Sequence, residues 1–273
     1  MPPSFQLGRH VFNYLFHTPI MTQNSLVSSN AQFPTPDQVL ILDTETTDLD
    51  VKTGQVIELG AILYSVKHQT TIKQYSALLP AQNNPAEHIN RIKPAPLMEI
   101  TEEQVAESVW MITEMAKKAQ VIVAHNAEFD QKWFGSSNNG KSLLPVLLNS
   151  KNEPLRWVCT CTEFEWPRQI RSGQSLIELA AAHDVGIFGN HRALTDCQLI
   201  AYLFDRMENL NAMFQMALRP KAWFKALVSY DNRELAKKAG FKWIPKLKSW
   251  VRKMAVDDTK ELPFMVNPIE FCQ

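Results

Sequence analysis

The chain has 273 residues, 45% of them hydrophobic, which suffices for one good-sized core and a small appendage; no apolar run approaches the roughly 20 residues of a membrane span. Lys plus Arg and Asp plus Glu stand at 28 each, so bulk charge points to no polyanionic or membrane-surface partner. The four cysteines lack the spacing of a zinc site or a disulfide framework, and a soluble, reduced, cytoplasmic protein is the expectation.

Residues 1–36 contain no acid and a single Arg, Arg9. Together with Asp37 they read as a disordered leader, with a targeting segment as the alternative that one Arg supports poorly. An apolar run from Val39 to Leu42 then opens a strand ending in Asp-Thr-Glu. Val56 to Tyr64 and Ile72 to Leu79, rich in β-branched and apolar residues, complete a three-stranded meander.

Pro80, Pro85, Pro94 and Pro96 mark the next stretch as loop. Thr101 with Gln104 starts a helix that runs to about Lys118, Val121 to Ala124 is a short buried strand, and a helix follows from Glu128. Ser136 to Gly140 is a breaker-rich loop, Trp157 to Thr160 another strand, and Ser175 caps a helix through Ala182. From Ala193 the apolar positions Cys197, Ile200, Ala201 and Phe204 mark an amphipathic helix. Strands followed by helices indicate an α/β sandwich on a mixed sheet.

Past residues 216–220 the texture becomes bases interleaved with aromatics. Residues 219–253 carry eleven Lys or Arg against two acids, net +9, while residues 1–218 hold 16 bases and 22 acids, net −6. Residues 38–215 and 220–273 are therefore expected to be separate domains, the second a small basic α/β module. For Trp243 and Trp250 the reading is core packing of that module, while the net charge argues for contact with a nucleic-acid strand.

Three features carry chemistry. Asp43 and Glu45, two apart at a strand end, point to one face of the sheet, where two bare carboxylates repel and suit a hard divalent ion. A buried strand delivers His125 and Asn126 to a turn and Asp130 to a helix start, where α/β sites form. His191, just ahead of the helix that carries Asp196, belongs on a loop, and an unperturbed imidazole titrates near pH 6.5, suited to a general base. Alone, each has an ordinary structural reading: a solvated strand edge, a helix cap, an exposed histidine. All three in one chain, in this order, are far less ordinary.

Asp43-x-Glu45, Asp130 and His191-x4-Asp196 resemble the three motifs of the DEDDh (DnaQ-like) 3′→5′ exonucleases over roughly residues 38–208. The likeness is greatest to their bacterial exodeoxyribonuclease X branch, through Ala124-His-Asn-Ala-Glu-Phe-Asp130, Trp157-Val-Cys-Thr160 and His191-Arg-Ala-Leu-Thr-Asp-Cys197. The resemblance implies an RNase H-like mixed sheet flanked by helices. It implies that Asp43, Glu45, Asp130 and Asp196 hold two Mg²⁺ or Mn²⁺ ions and that His191 deprotonates the attacking water. Thr46, Thr47 and Leu49 would line the terminal nucleotide, with Leu49 wedged against the last base, and Asn126 and Phe129 would shape the same pocket.

Three positions depart from the family pattern. Asp48 stands where glycine is common, and Asp tolerates a left-handed backbone well enough for the turn to survive. Asp50 adds a carboxylate that weakens local phosphate contact. Asn90 replaces a frequent His. The implied activity is release of nucleoside monophosphates from a free 3′ end, DNA favoured over RNA, in repair or proofreading. An exoribonuclease is the alternative within the same chemistry. A catalytically silent nucleic-acid-binding or polymerase-associated subunit is the alternative outside it.

Overall fold

The computed structural model describes residues 34–135, 144–171, 173–187, 189 and 191–270. Most of the expected leader, and the loop expected at Ser136 to Gly140, lie outside the described residues.

β1 (Gln38–Thr46) is central because its alternate side chains feed two different layers. Val39 and Ile41 enter one hydrophobic cluster, Leu40 and Leu42 the other. β2 (Val56–Ser65) is buried along all ten residues and pairs antiparallel with β1, and β3 (Thr70–Leu78) pairs antiparallel with β2 at the sheet edge. The meander read from the sequence is therefore present.

The proline-rich stretch differs from expectation, since it contains two short helices, α1 (Glu87–Asn90) and α2 (Pro94–Met98). Pro94 occupies the first turn of α2, where a missing N–H costs nothing and the fixed φ favours helix. α3 (Glu102–Ala116) begins with the predicted capping box, in which the Thr101 side chain and the Gln104 amide and side chain satisfy one another.

β4 (Val121–Ala124) joins β1 in parallel, α4 (Ala127–Gln131) is a single short turn, and β5 (Arg156–Cys159) adds parallel to β4. The sheet order is β3-β2-β1-β4-β5, a mixed RNase H-like sheet. α5 (Leu176–Ala182), α6 (Ala193–Asp205) and α7 (Leu210–Leu218) supply Leu179, Phe204 and Phe214 to one face, and α3 covers the other through Ile112 and Met115. No element was expected where α7 lies.

Gly60 sets how closely α6 approaches the sheet. A Cβ built there would stand 2.3 Å from the Ala193 carbonyl carbon and 2.4 Å from the Leu194 nitrogen, so only glycine admits the start of α6 against β2. Gly60 is also the register partner of Asp43, so the close approach falls directly beside the first acidic motif.

A second, antiparallel sheet begins three residues after α7 ends. β6 (Lys221–Ala226), β7 (Lys242–Ile244), β8 (Ser249–Ala255) and β9 (Val266–Ile269) are ordered β7-β8-β6-β9. α8 (Arg233–Lys238) lays Ala236 on a small core of Phe224, Ala226, Phe241 and Met254. Trp250 packs against that core as expected; Trp243 contacts Trp250 edge to face but remains 48% exposed. Arg156 of β5 donates 2.8 Å to the Leu218 carbonyl at the end of α7, and Lys221 pairs with Glu163 at 2.7 Å, which fastens the second sheet to the segment after β5. Among the described residues no helix is long and apolar enough to cross a membrane.

Candidate active site

The last turn of β1 is shaped by a register shift between Glu45 and Thr46, which leaves Ile57 of β2 unmatched. Bulges of this kind re-aim side chains, here at the end of the Asp-Thr-Glu motif. Asp43 and Glu45 are both partly exposed on one face while Thr44 between them is buried on the other, as the period-2 reading requires.

Thr44 ties β1 to the second motif. Its amide (3.0 Å) and its hydroxyl (2.8 Å) both donate to one oxygen of Asp130, a residue only 1% exposed at the end of α4. Two donors stabilise the ionised form of a buried carboxylate, yet burial outweighs them and the Asp130 carboxyl is pushed up to about 7. Asn126, at the mouth of this turn, is exposed in the left-handed region at φ 69°, a conformation that Asn tolerates.

The third motif meets the first. One ligand atom from each of Glu45, His191 and Asp196 lies within 4.8 Å of the other two, with His191 exposed and both acids partly buried. Asp43 and Asp130 fall outside that group of three, but their charges act on it. Burial, then Asp130, Asp196, Glu45 and Glu58, push the Asp43 carboxyl well above the usual carboxylate range. Burial, then Asp196, Glu58 and Asp130, push Glu45 up to about 8. Asp196 rises to about 6, chiefly through burial, with the His191 ring and backbone amide acting the other way. An oxygen-rich set of carboxyls that hold protons because they are buried, and in part because they repel one another, fits a hard divalent cation.

Two residues that the sequence reading missed hold this geometry. Glu58, opposite Glu45 on β2 and 2% exposed, accepts bonds from Arg192 Nε (3.2 and 3.0 Å), Arg192 Nη2 (2.7 Å) and the Ala193 amide (3.0 Å). This bidentate clamp pins the start of α6, and His191 precedes Arg192 at φ 57° in the left-handed region. The signal was in the sequence: Glu58 is the one charge in an otherwise uncharged strand, and a buried strand carboxylate needs a partner.

The expected nucleotide-lining residues divide. Leu49 is 75% exposed on the turn and free to meet a base. Thr46 and Thr47 are buried, and their hydroxyls already serve the turn: Thr46 donates 2.8 Å to the Asp48 carbonyl and Thr47 accepts 3.1 Å from the Gln55 amide. Phe129 is half-buried against the α3-side cluster, edge to face with Trp133 and under the Lys132 ammonium at 4.3 Å.

The departures from the family pattern also find places. Asp48 does not adopt the left-handed backbone expected of it; its carboxylate instead accepts from the Leu49 amide (2.6 Å) and the Thr53 hydroxyl (2.7 Å), organising the turn by side-chain bonds. Asp50, exposed, accepts from the Lys52 amide at 2.9 Å. Asn90 is 1% exposed, bridging Asn84 (2.8 Å), the Ile92 amide (3.1 Å) and the Thr46 carbonyl (3.4 Å), so it supports the site from behind.

Comparison with known proteins bears on this geometry. A family model described as Exonuclease matches residues 40–204, more than half of the chain, and a second, described as a domain of unknown function, matches residues 222–269. The DNA polymerase III PolC-type proteins of Thermotoga maritima and Caldanaerobacter subterraneus are 25% and 27% identical over 185 and 200 residues, covering 61% and 69% of this chain. The chain spans about an eighth of those proteins, 12% of each.

Among solved structures, a full-length 3′-exonuclease is 15% identical with a TM-score of 0.51, covering 67% of this chain and 84% of that one. A 3′-exonuclease recognising a histone mRNA stem-loop is 14% identical with a TM-score of 0.50, covering 69% and 68%. Both share the fold. An exonuclease X bound to 5′-overhanging duplex DNA is 24% identical, covers 66% of this chain and 97% of that chain, and superposes with a TM-score of 0.47.

Proposed function

Since the chain belongs to the exonuclease family whose model covers residues 40–204, we propose that residues 38–215 remove nucleoside monophosphates one at a time from the 3′ end of a DNA strand, with two Mg²⁺ or Mn²⁺ ions held by Asp43, Glu45, Asp130 and Asp196. The observation that carries this reading is the meeting of Glu45, His191 and Asp196 within 4.8 Å, beside Asp43, raised by burial and by neighbouring carboxylates, and Asp130, raised by burial. Ions bound there would acidify an attacking water and neutralise charge developing on the scissile phosphate.

The chain's own residues do the rest. His191, exposed at the rim, takes the proton from the attacking water, and the Glu58–Arg192 clamp fixes the backbone on which it sits. Leu49 rests against the terminal base, while Thr46, Thr47 and Asn90 hold the turn that presents it. The preference for DNA draws on the likeness to DNA polymerase III segments.

Matched DNA and RNA oligonucleotides, labelled at either end and incubated with and without chelator, test the proposal. The expected result is label released as mononucleotide from the 3′ end only, faster on DNA, and abolished by chelator, by Asp43→Ala and by His191→Gln. Activity that survives Asp43→Ala, or release from the 5′ end, overturns it.

A further inference from the structure

The second sheet has two unlike faces. α8 and the small core occupy the one that bears Phe224, Trp250 and Met254. Register places Lys225 and Lys242 opposite Val251 from either side, and Lys253 two residues further along β8, so all three lysines share the other face. All three are exposed, and none forms a salt bridge among the described residues. Lys225 and Lys242 are about 10 Å apart across β8 and Lys253 about 7 Å along it, by ordinary strand spacing.

Resting on the exonuclease reading, we propose that this lysine face holds the sugar-phosphate backbone of the strand whose 3′ end enters the site at Asp43 and His191. Continuity with the site supports it. Lys221, on the same face, is anchored to Glu163 at 2.7 Å, and Glu163 in turn accepts from the Cys159 amide at 2.8 Å. Cys159 pairs in register with Ala124 at the end of β4, and the Thr160 amide donates 2.9 Å to the Ala124 carbonyl, where the second acidic motif begins. Residues 159–163 thus bond on one side to the strand end that leads into Asp130 and on the other to Lys221 of the second sheet.

Charge identifies the occupant. The body carrying the site is net −6 over residues 1–218, so a polyanion approaching it is repelled except where residues 219–253, net +9, offset that field. A single strand already held by its 3′ end is the polyanion the active site itself delivers.

The test uses the full chain with Lys225→Gln, Lys242→Gln and Lys253→Gln combined, against Lys237→Gln with Lys238→Gln on the opposite, helical layer. Binding of a fluorescent 20-nucleotide DNA strand is measured across NaCl concentrations with chelator present, and hydrolysis of a dinucleotide with Mg²⁺. Three lost phosphate contacts lower the slope of log affinity against log salt by about 2, at roughly 0.7 per contact on a single strand. Dinucleotide hydrolysis, too short to reach the sheet, stays unchanged, and the helical-layer variant keeps the parental slope. An unchanged slope in the triple variant, or an equal fall in the helical-layer variant, overturns the proposal. So does a triple variant that loses binding to anionic lipid vesicles while holding the DNA strand as before. If the parent hydrolyses neither substrate while the triple variant still loses slope, the exonuclease reading falls and the binding face stands.

Discussion

The carboxyls of Asp43, Glu45, Asp130 and Asp196 all hold their protons above the ordinary carboxylate range, first because they are buried and then, for Asp43 and Glu45, because they face others of the set. A carboxyl whose folded pKa is raised stabilises the fold fully below its unfolded value and loses that contribution as pH rises through the folded one. Without divalent ions, the melting temperature is therefore expected to fall as pH climbs from about 4 through the values of about 6, 7 and 8 at Asp196, Asp130 and Glu45. Mn²⁺ held by the ionised set would stabilise the fold more at the upper end of that window than at the lower; a cation-induced shift independent of pH would contradict this. The Glu58–Arg192 clamp makes a separate prediction. Arg192→Ala strands a buried carboxylate beside four others and should cost on the order of 2 kcal/mol, moderated because Arg192 is half-exposed. It should also lower kcat more than it raises KM, since His191 and Asp196 lose their fixed relation; Arg192→Lys, able to pair but not bidentately, should recover only part of kcat.

Among the elements, the seating of α6 on β2 is the most exacting contact. Gly60→Ala puts a methyl group against backbone that has nowhere to go, and should cost about 3 kcal/mol and nearly all activity by lifting Asp196 away from Asp43. Parallel urea-unfolding and activity measurements check this; near-parental values in both would mean that α6 tolerates a shift. β1, β2, β4 and α6 were legible in the sequence because each carries an unmistakable period or an unbroken apolar run bounded by polar chemistry. α1 and α2 were not, since prolines read as breakers also serve as first-turn helix residues, as Pro94 does. α7 was missed because its buried Leu210, Met213, Phe214, Ala217 and Leu218 follow a polar turn directly and show no capping side chain. The candidate site was legible as three motifs, of which the structure gathers Glu45, His191 and Asp196 into a compact trio, while Asp43 and Asp130 act on it by charge. What stayed hidden was long-range and backbone-borne: the Thr44–Asp130 link across 86 residues, and the clamp from Arg192 to Glu58 across 134.

Taken whole, the molecule sets an acidic, metal-suited cluster at the strand ends of one sheet and a basic face on another, joined through Lys221 and Glu163. The central claim is that the first of these binds a cation pair and that hydrolysis depends on it. Anomalous scattering from crystals soaked in Mn²⁺ with a nucleoside 5′-monophosphate measures this directly. The account predicts two peaks, both bounded by oxygens of Asp43, Glu45, Asp130 and Asp196, with the His191 ring facing the phosphate. Peaks elsewhere on the surface, or none at this cluster at a concentration that supports activity, would contradict it.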